Sequence, residues 1–251
     1  MPQNIIYALI ATAIVSIISL IGILTLGIKV EKLKKILIYF IAFSAGTLMG
    51  DAFLHLLPEA SHEGEFDLHI GLIVLVGIVL GLIIEKVIHR NHCHMPITKE
   101  HKHPFAWMNL VGDMVHNLID GLIIGAAFLV DIQVGIATTI AVILHEIPQE
   151  IGDFGVLIHG GFTKKKALLM NFLTALTAFI GVGIAIVLNM YIEGISEFLM
   201  PLAAGLFIYI AGSDLIPEMH KTTKLSSSLI QILFFLAGIG IMLALTAGHI
   251  D

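Results

Sequence analysis

The sequence is short of charge. Only 13% of its 251 residues are Asp, Glu, Lys or Arg, against about 25% in a soluble domain. With 57% apolar residues alongside, that shortage excludes a cytosolic enzyme, a nucleic-acid module and a disordered chain. There is one cysteine, Cys93, so no internal disulfide framework can form. No basic stretch precedes the first apolar run in MPQNIIYAL, and the start does not read as a cleaved signal peptide. A GxxxxGK[ST] loop is also missing, which removes direct ATP drive. What is present in quantity is apolar length. It points to an all-α integral membrane protein, a single transmembrane domain over residues 1–251.

A bilayer core of about 30 Å needs about 20 apolar residues per helix. Eight such runs are read, at roughly 5–28, 36–57, 68–86, 105–130, 133–160, 166–192, 197–217 and 228–248. None alternates as barrel strands do. The basic residues set the orientation. Lys29, Lys32, Lys34 and Lys35 follow the first run, and Lys86, Arg90, Lys99 and Lys102 the third. Lys164, Lys165 and Lys166 follow the fifth, and Lys221 and Lys224 the seventh. All 13 basic side chains thus fall on alternate loops, while the other loops carry only Glu59, Glu63, Glu65, Asp67, Asp131, Glu193 and Glu197. The positive-inside rule then expects a multi-pass protein of the cell (plasma or inner) membrane with both termini outside.

An internal repeat is visible. Ala45 to Glu59 reads AGTLMGDAFLHLLPE and Ala204 to Glu218 reads AGLFIYIAGSDLIPE. Each has Pro-Glu twelve residues after its Gly, and His55 aligns with Asp214. The two segments run in opposite directions, as do the fourth and fifth spans with HNLID and HEIPQ. A 3+2+3 inverted repeat of this kind is the signature of an alternating-access carrier with a site near the midplane.

Ionisable groups within spans are costly and mark function. Here they are Asp51, His55, Asp113, His116, Asp120, His145, Glu146, Glu150, Asp153 and Asp214, with no Lys or Arg among them. Such an acidic interior takes up protons or awaits a cation. Asp113, His116, Asn117 and Asp120 share one helix face by their spacing. His145, Glu146, Gln149, Glu150 and Asp153 form two adjacent stripes around Pro148. Proline removes a backbone donor and frees the carbonyl one turn back, that of Leu144, so a broken turn is expected there. Imidazole beside carboxylate and amide oxygen suits first-row divalent ions, Zn²⁺ best and Fe²⁺ or Mn²⁺ next. Mg²⁺ or Ca²⁺ would call for oxygen alone.

On these residues the sequence resembles the ZRT/IRT-like protein (ZIP) family of metal transporters. HNLIDGLIIGAAF from His116 is similar to that family's fourth-span signature HNxxDGxxxG, and HEIPQEIGDFGVLIHGGF from His145 to the fifth-span signature HExPHExGDF of its largest animal subfamily. GDAFLHLLPEA and FIYIAGSDLIPE resemble its second and seventh spans. The resemblance covers nearly the whole chain. It implies eight spans with both termini outside, and a primary metal site at His116, Asp120, His145 and Gln149 with Asn117 and Glu146 beside it. It also implies inward metal movement by sliding of one helix group against the other. Gln149 stands where the signature has His, which removes a strong ligand.

The metal residues expected are therefore His116, Asn117, Asp120, His145, Glu146, Gln149 and Glu150, with Asp113, Asp153, Asp51, His55 and Asp214 as secondary or pathway groups. A cytoplasmic His-rich loop at 89–104, with His89, His92, Cys93, His94, His101 and His103, reads as a weak metal-capture segment. The function expected is transport of Zn²⁺, with Cd²⁺, Fe²⁺ and Mn²⁺ as further substrates. Metal is then substrate and not cofactor, the partners are divalent ions and the lipid bilayer, and a homodimer is the candidate assembly. Two alternatives stand beside it. An intramembrane metalloenzyme would need HExxH, but Gln149 takes the second His position and Pro148 interrupts the helix. A proton-linked carrier of another solute would need aromatic or Arg contacts in mid-span.

Overall fold

The computed structural model describes residues 2–25, 30–61, 67–89, 104–192, 194–221 and 223–246. Among them there is helix and short connection but no strand. α1 (Pro2–Ile18) continues through a 3₁₀ turn, Ser19–Ile21, into Gly22–Thr25. α2 (Val30–Asp51) passes through a π-helical segment, Ala52–Leu56, into Leu57–Ala60. α3 is Leu68–His89, α4 Pro104–Val130 and α5 Ile132–His159. α6 comprises Lys164–Ala175 and Thr177–Tyr191. α7 (Ile195–Ile210) passes through a second π segment, Ala211–Leu215, into Ile216–His220, and α8 is Leu225–Thr246.

Seven of these helical stretches are long and apolar enough to cross a membrane. α5 is not among them: His145, Glu146, Gln149, Glu150 and Asp153 lower its hydropathy, although its 28 residues have the length. The π segments occupy equivalent places in the two sequence repeats, each beginning seven residues after the Ala of the Ala-Gly pair. A π turn inserts one residue into the ladder and rotates the next turns of the helix, and such insertions gather at functional sites.

Two sets of helices pack preferentially together. α1, α4, α5 and α6 form one set, while α2 packs on α8 and α3 on α7. α2 also lies along α5 and joins the sets. The tightest crossings rest on paired glycines. A Cβ on Gly121 of α4 would sit 1.9 Å from the Ala178 carbonyl oxygen, and one on Gly181 of α6 would sit 2.0 Å from that of Leu118. Gly46 of α2 and Gly238 of α8 stand likewise against Phe235 and Phe43, at 2.1 and 2.3 Å. Gly77 of α3 and Gly205 of α7 stand against Leu202 and Val74, at 2.4 and 2.2 Å. In an apolar solvent, burial of leucine gives no advantage, so backbone approach through small residues supplies the packing energy.

Buried hydroxyls satisfy backbone where helices are interrupted. At the break in α6 the Ala175 carbonyl accepts a hydrogen bond from Ser16 at 3.1 Å. The turn between α4 and α5 is a single residue, Asp131, whose carboxylate accepts from the Gln133 and Val134 amides at 2.7 and 3.2 Å and caps α5. That short turn folds α4 and α5 into a hairpin. His116 lies 14 residues before the end of α4 and His145 13 residues after the start of α5. At about 1.5 Å per residue both stand about 20 Å from the turn, so HNLID and HEIPQ meet at one depth.

Candidate metal centre

Four side chains converge where the hairpin brings these motifs together: His116 and Asp120 from α4, His145 and Glu146 from α5. One ligand atom from each lies within 4.8 Å of all the others. His116 Nε2 is 3.1 Å from His145 Nε2, 3.4 Å from Asp120 Oδ2 and 3.2 Å from Glu146 Oε1. His145 Nε2 is 3.1 Å from Asp120 Oδ2 and 3.6 Å from Glu146 Oε1.

The local sequence explains the convergence. His116 and Asp120 are one helical turn apart, so their side chains overlie each other. His145 Nδ1 lies 3.1 Å from the Ala141 carbonyl oxygen of its own helix. Donation there assigns the proton to Nδ1 and leaves the Nε2 lone pair facing the cluster. The Phe207 ring of α7 packs edge-on against His145, with centroids 6.0 Å apart, and fixes its plane. Asp120, His145 and Glu146 are buried, and His116 keeps 18% of its side-chain surface open. Asp120 Oδ1 is a buried acceptor with no hydrogen-bond donor, and Glu146 Oε1 is buried against the two imidazoles. Such groups are costly in a low-dielectric interior unless a cation meets them.

Among the described residues, the other expected carboxylates and His55 fall outside this group. Asn117 Nδ2 donates to the Asp113 carboxylate at 2.7 Å, and its own Oδ1 is buried without a donor. Asp113 also accepts from Thr174 at 2.5 Å, and Asp153 from Asn109 at 2.9 Å. Glu150 accepts from Asn171 at 2.8 Å and leaves its other oxygen unpartnered. Gln149 is half-buried on α5, one turn beyond His145. Asp51 and His55 are buried together, His55 Nδ1 lying 3.2 Å from Asp51 Oδ1. His55 lines a cavity of about 190 Å³ with Glu59, Gln133 and Thr246. Asp214 lies in the second π segment, exposed, and accepts from Ser213 at 2.9 Å. The side chain of His89 and residues His92, Cys93, His94, His101 and His103 lie outside the described residues.

Asn171 and Thr174 are the residues that sequence reasoning missed. Both lie on α6, buried, and tie it to carboxylates of α4 and α5. The signal was a polar stripe, Asn171, Thr174 and Thr177, at helical spacing in an apolar run. The expected break at Pro148 does not occur, because α5 is continuous through it. The Leu144 carbonyl instead accepts a hydrogen bond from Ser44 of α2 at 2.6 Å.

Comparison with known proteins agrees with the motifs. A family model described as ZIP Zinc transporter matches residues 3–105 and 98–246. Zinc transporter zipt-7.1 of Caenorhabditis briggsae is 32% identical, covering 80% of this chain and 69% of that protein. Zinc transporter zipt-7.2 of Caenorhabditis elegans is 31% identical over 94% of this chain and 64% of its own length. Metal cation symporter ZIP14 of Bos taurus is 28% identical over 98% of this chain and 68% of its own length. The chain thus spans about two thirds of the length of these relatives. It is a multi-pass membrane protein, and it belongs to the ZIP zinc transporter family, a family of transporters and not of enzymes.

Proposed function

We propose that this protein carries divalent metal ions, Zn²⁺ foremost, into the cytoplasm through a midplane site on α4 and α5. The observation that carries this reading is the four-atom cluster of His116, Asp120, His145 and Glu146. Zinc bonds of about 2.05 Å in a tetrahedron give ligand-to-ligand edges of about 3.3 Å. Five of the six ligand-to-ligand distances, from 3.1 to 3.6 Å, bracket that edge, and all four ligand atoms lie within 4.8 Å of one another. Two neutral imidazoles and two carboxylates also cancel the formal charge of a divalent ion, which a buried site requires. The names of the relatives, zinc transporters and a metal cation symporter, support the same substrate class.

Gln149, Asn117 and Glu150 are proposed as flanking ligands that an ion reaches as it moves. Asp113, Asp153, Asp51, His55 and Asp214 are assigned to the pathway, and the His-rich loop at 89–104 to capture of the exiting ion. α5 is counted as the eighth span, since the polar groups that lower its hydropathy are the ones that face its partners. The matched π segments and the paired glycines of α2–α8 and α3–α7 support the 3+2+3 repeat. The whole chain acts as a single transmembrane domain.

Competition uptake tests the substrate. Unlabelled Zn²⁺ and Cd²⁺ are expected to displace labelled Zn²⁺ from proteoliposomes, with Fe²⁺ and Mn²⁺ weaker, following the stability order for nitrogen ligands. His145→Glu exchanges nitrogen for harder oxygen and should move the preference toward Mn²⁺ and Fe²⁺. Mn²⁺ competing as well as Zn²⁺ against the unmodified protein would refute the preference. Topology has its own measurement. In a Cys93→Ser background, cysteines at Glu63 and Glu193 should react with an impermeant thiol reagent outside intact cells, while one at Lys165 should not. Labelling of all three from one side contradicts the arrangement.

A further inference from the structure

We infer that Ser44, on α2, is a positioning residue for the metal centre, acting on it through the backbone of α5. The inference deepens the metal reading and rests on it for its link to Zn²⁺. Pro148 lies inside α5 and has no amide hydrogen, so the Leu144 carbonyl lacks the donor that any other residue would supply. An orphan carbonyl in a membrane interior is expensive, and the chain breaks there unless another group reaches it. Ser44 does so. Its hydroxyl, buried with no exposed surface, stands 2.6 Å from the Leu144 oxygen.

The position of that carbonyl gives the contact its consequence. Leu144 immediately precedes His145 and Glu146, two of the four converging residues. A turn with an unsatisfied carbonyl tilts outward, and the ring of His145 and the carboxylate of Glu146 swing with it. The His145 Nδ1 contact to Ala141 anchors the turn from one side, and the Ser44 contact anchors it from the other. Ser44 also stands 2.8 Å from the Phe40 carbonyl oxygen of its own helix. One hydroxyl proton serves two acceptors, so the donor keeps a partner even when α2 and α5 separate. The donor comes from the helix set opposite to the one that carries the ligands. The arrangement therefore places the geometry of the metal centre under the control of the contact between the sets.

The test is a double-mutant cycle. Ser44→Ala in the full chain should raise the Kd for Zn²⁺ and the uptake KM about tenfold, the scale of one hydrogen bond and its stranded acceptor, while the maximal rate does not fall. Amide hydrogen exchange over residues 145–152 of the metal-free protein should speed up in the same variant. Ser44→Thr keeps the donor and should restore both. Pro148→Ala returns an amide to the Leu144 carbonyl, so in that background Ser44→Ala should change neither exchange nor affinity. Unchanged exchange and affinity in Ser44→Ala, or an equal effect with Pro148 and with Ala at 148, would overturn the inference. A protein that binds no Zn²⁺ while its exchange follows the cycle overturns the metal reading and leaves the backbone contact standing.

Discussion

Asp120→Ala and His145→Ala are each expected to reduce saturable Zn²⁺ uptake by proteoliposomes to the level of protein-free vesicles, with both variants still reaching the membrane. Asp120 is the more informative of the two. One of its oxygens lies near both imidazoles, at 3.4 and 3.1 Å. Its loss removes a ligand and leaves a divalent ion facing one carboxylate in a buried site. Loss of a group that merely supports a ligand costs about 10- to 100-fold in metal affinity, and loss of a ligand with its charge should exceed that. A second readout separates site from fold. A ligand at 100 times its Kd stabilises the native state by about 2.7 kcal/mol, so the unmodified protein should unfold at a higher temperature with Zn²⁺ than without. Asp120→Ala should unfold at the same temperature in both conditions. Asp120→Asn keeps the shape and removes the charge, and it should resemble Ala in binding. Normal saturable uptake by Asp120→Ala would refute the site assignment.

How far the sequence went depended on whether a feature is local. Apolar length located most of the helices, seven of which are long and apolar enough to cross a membrane. HNLID and HEIPQ were legible as polar motifs within apolar runs, and their meeting follows from their near-equal distance to a one-residue turn. Asn171 and Thr174 were not legible in that way. An amide or a hydroxyl in an apolar run is inexpensive, and only the packing of α6 on α4 and α5 reveals that these two hold carboxylates. Pro148 shows a local rule overruled by a distant residue. Within α5 alone the freed carbonyl of Leu144 predicts a break, and the hydroxyl that prevents it lies 100 positions away. The π segments leave no pattern in hydropathy, yet their places coincide in the two repeats. Gln149 reads in its motif as a weakened ligand, and the structure places it half-buried one turn from His145.

Gly181→Ala, the addition of a single carbon, is expected to be among the most damaging substitutions outside the metal centre. The new Cβ would stand 2.0 Å from the Leu118 carbonyl oxygen and 2.5 Å from the Leu122 amide nitrogen. These are backbone atoms of α4, held in their own hydrogen-bond ladder, so no rotamer change relieves the clash. α4 and α6 must separate instead, and close approach is what holds helices together in lipid. Overpacking in a core costs about 1–3 kcal/mol where side chains can yield, and a backbone clash belongs at or above the upper end. For a chain of this size, 3 kcal/mol corresponds to about a 10 °C fall in Tm. Gly183→Ala, two residues along the same helix, meets nothing within 4 Å and should leave Tm within about 2 °C. The damage should also reach the metal centre. α4 carries His116 and Asp120, and the displaced α6 carries the Thr174 and Asn171 contacts to Asp113 and Glu150. Zn²⁺ affinity should therefore fall in Gly181→Ala and hold in Gly183→Ala. Gly121→Ala presses on the same crossing from the other side, 1.9 Å from the Ala178 oxygen. Once either substitution has parted the helices the second finds room, so the double variant should lose less than the sum of the two. Thermal unfolding in detergent of the four variants and the unmodified protein decides it, and equal Tm values for Gly181→Ala and Gly183→Ala would show that this crossing is not held by the backbone approach.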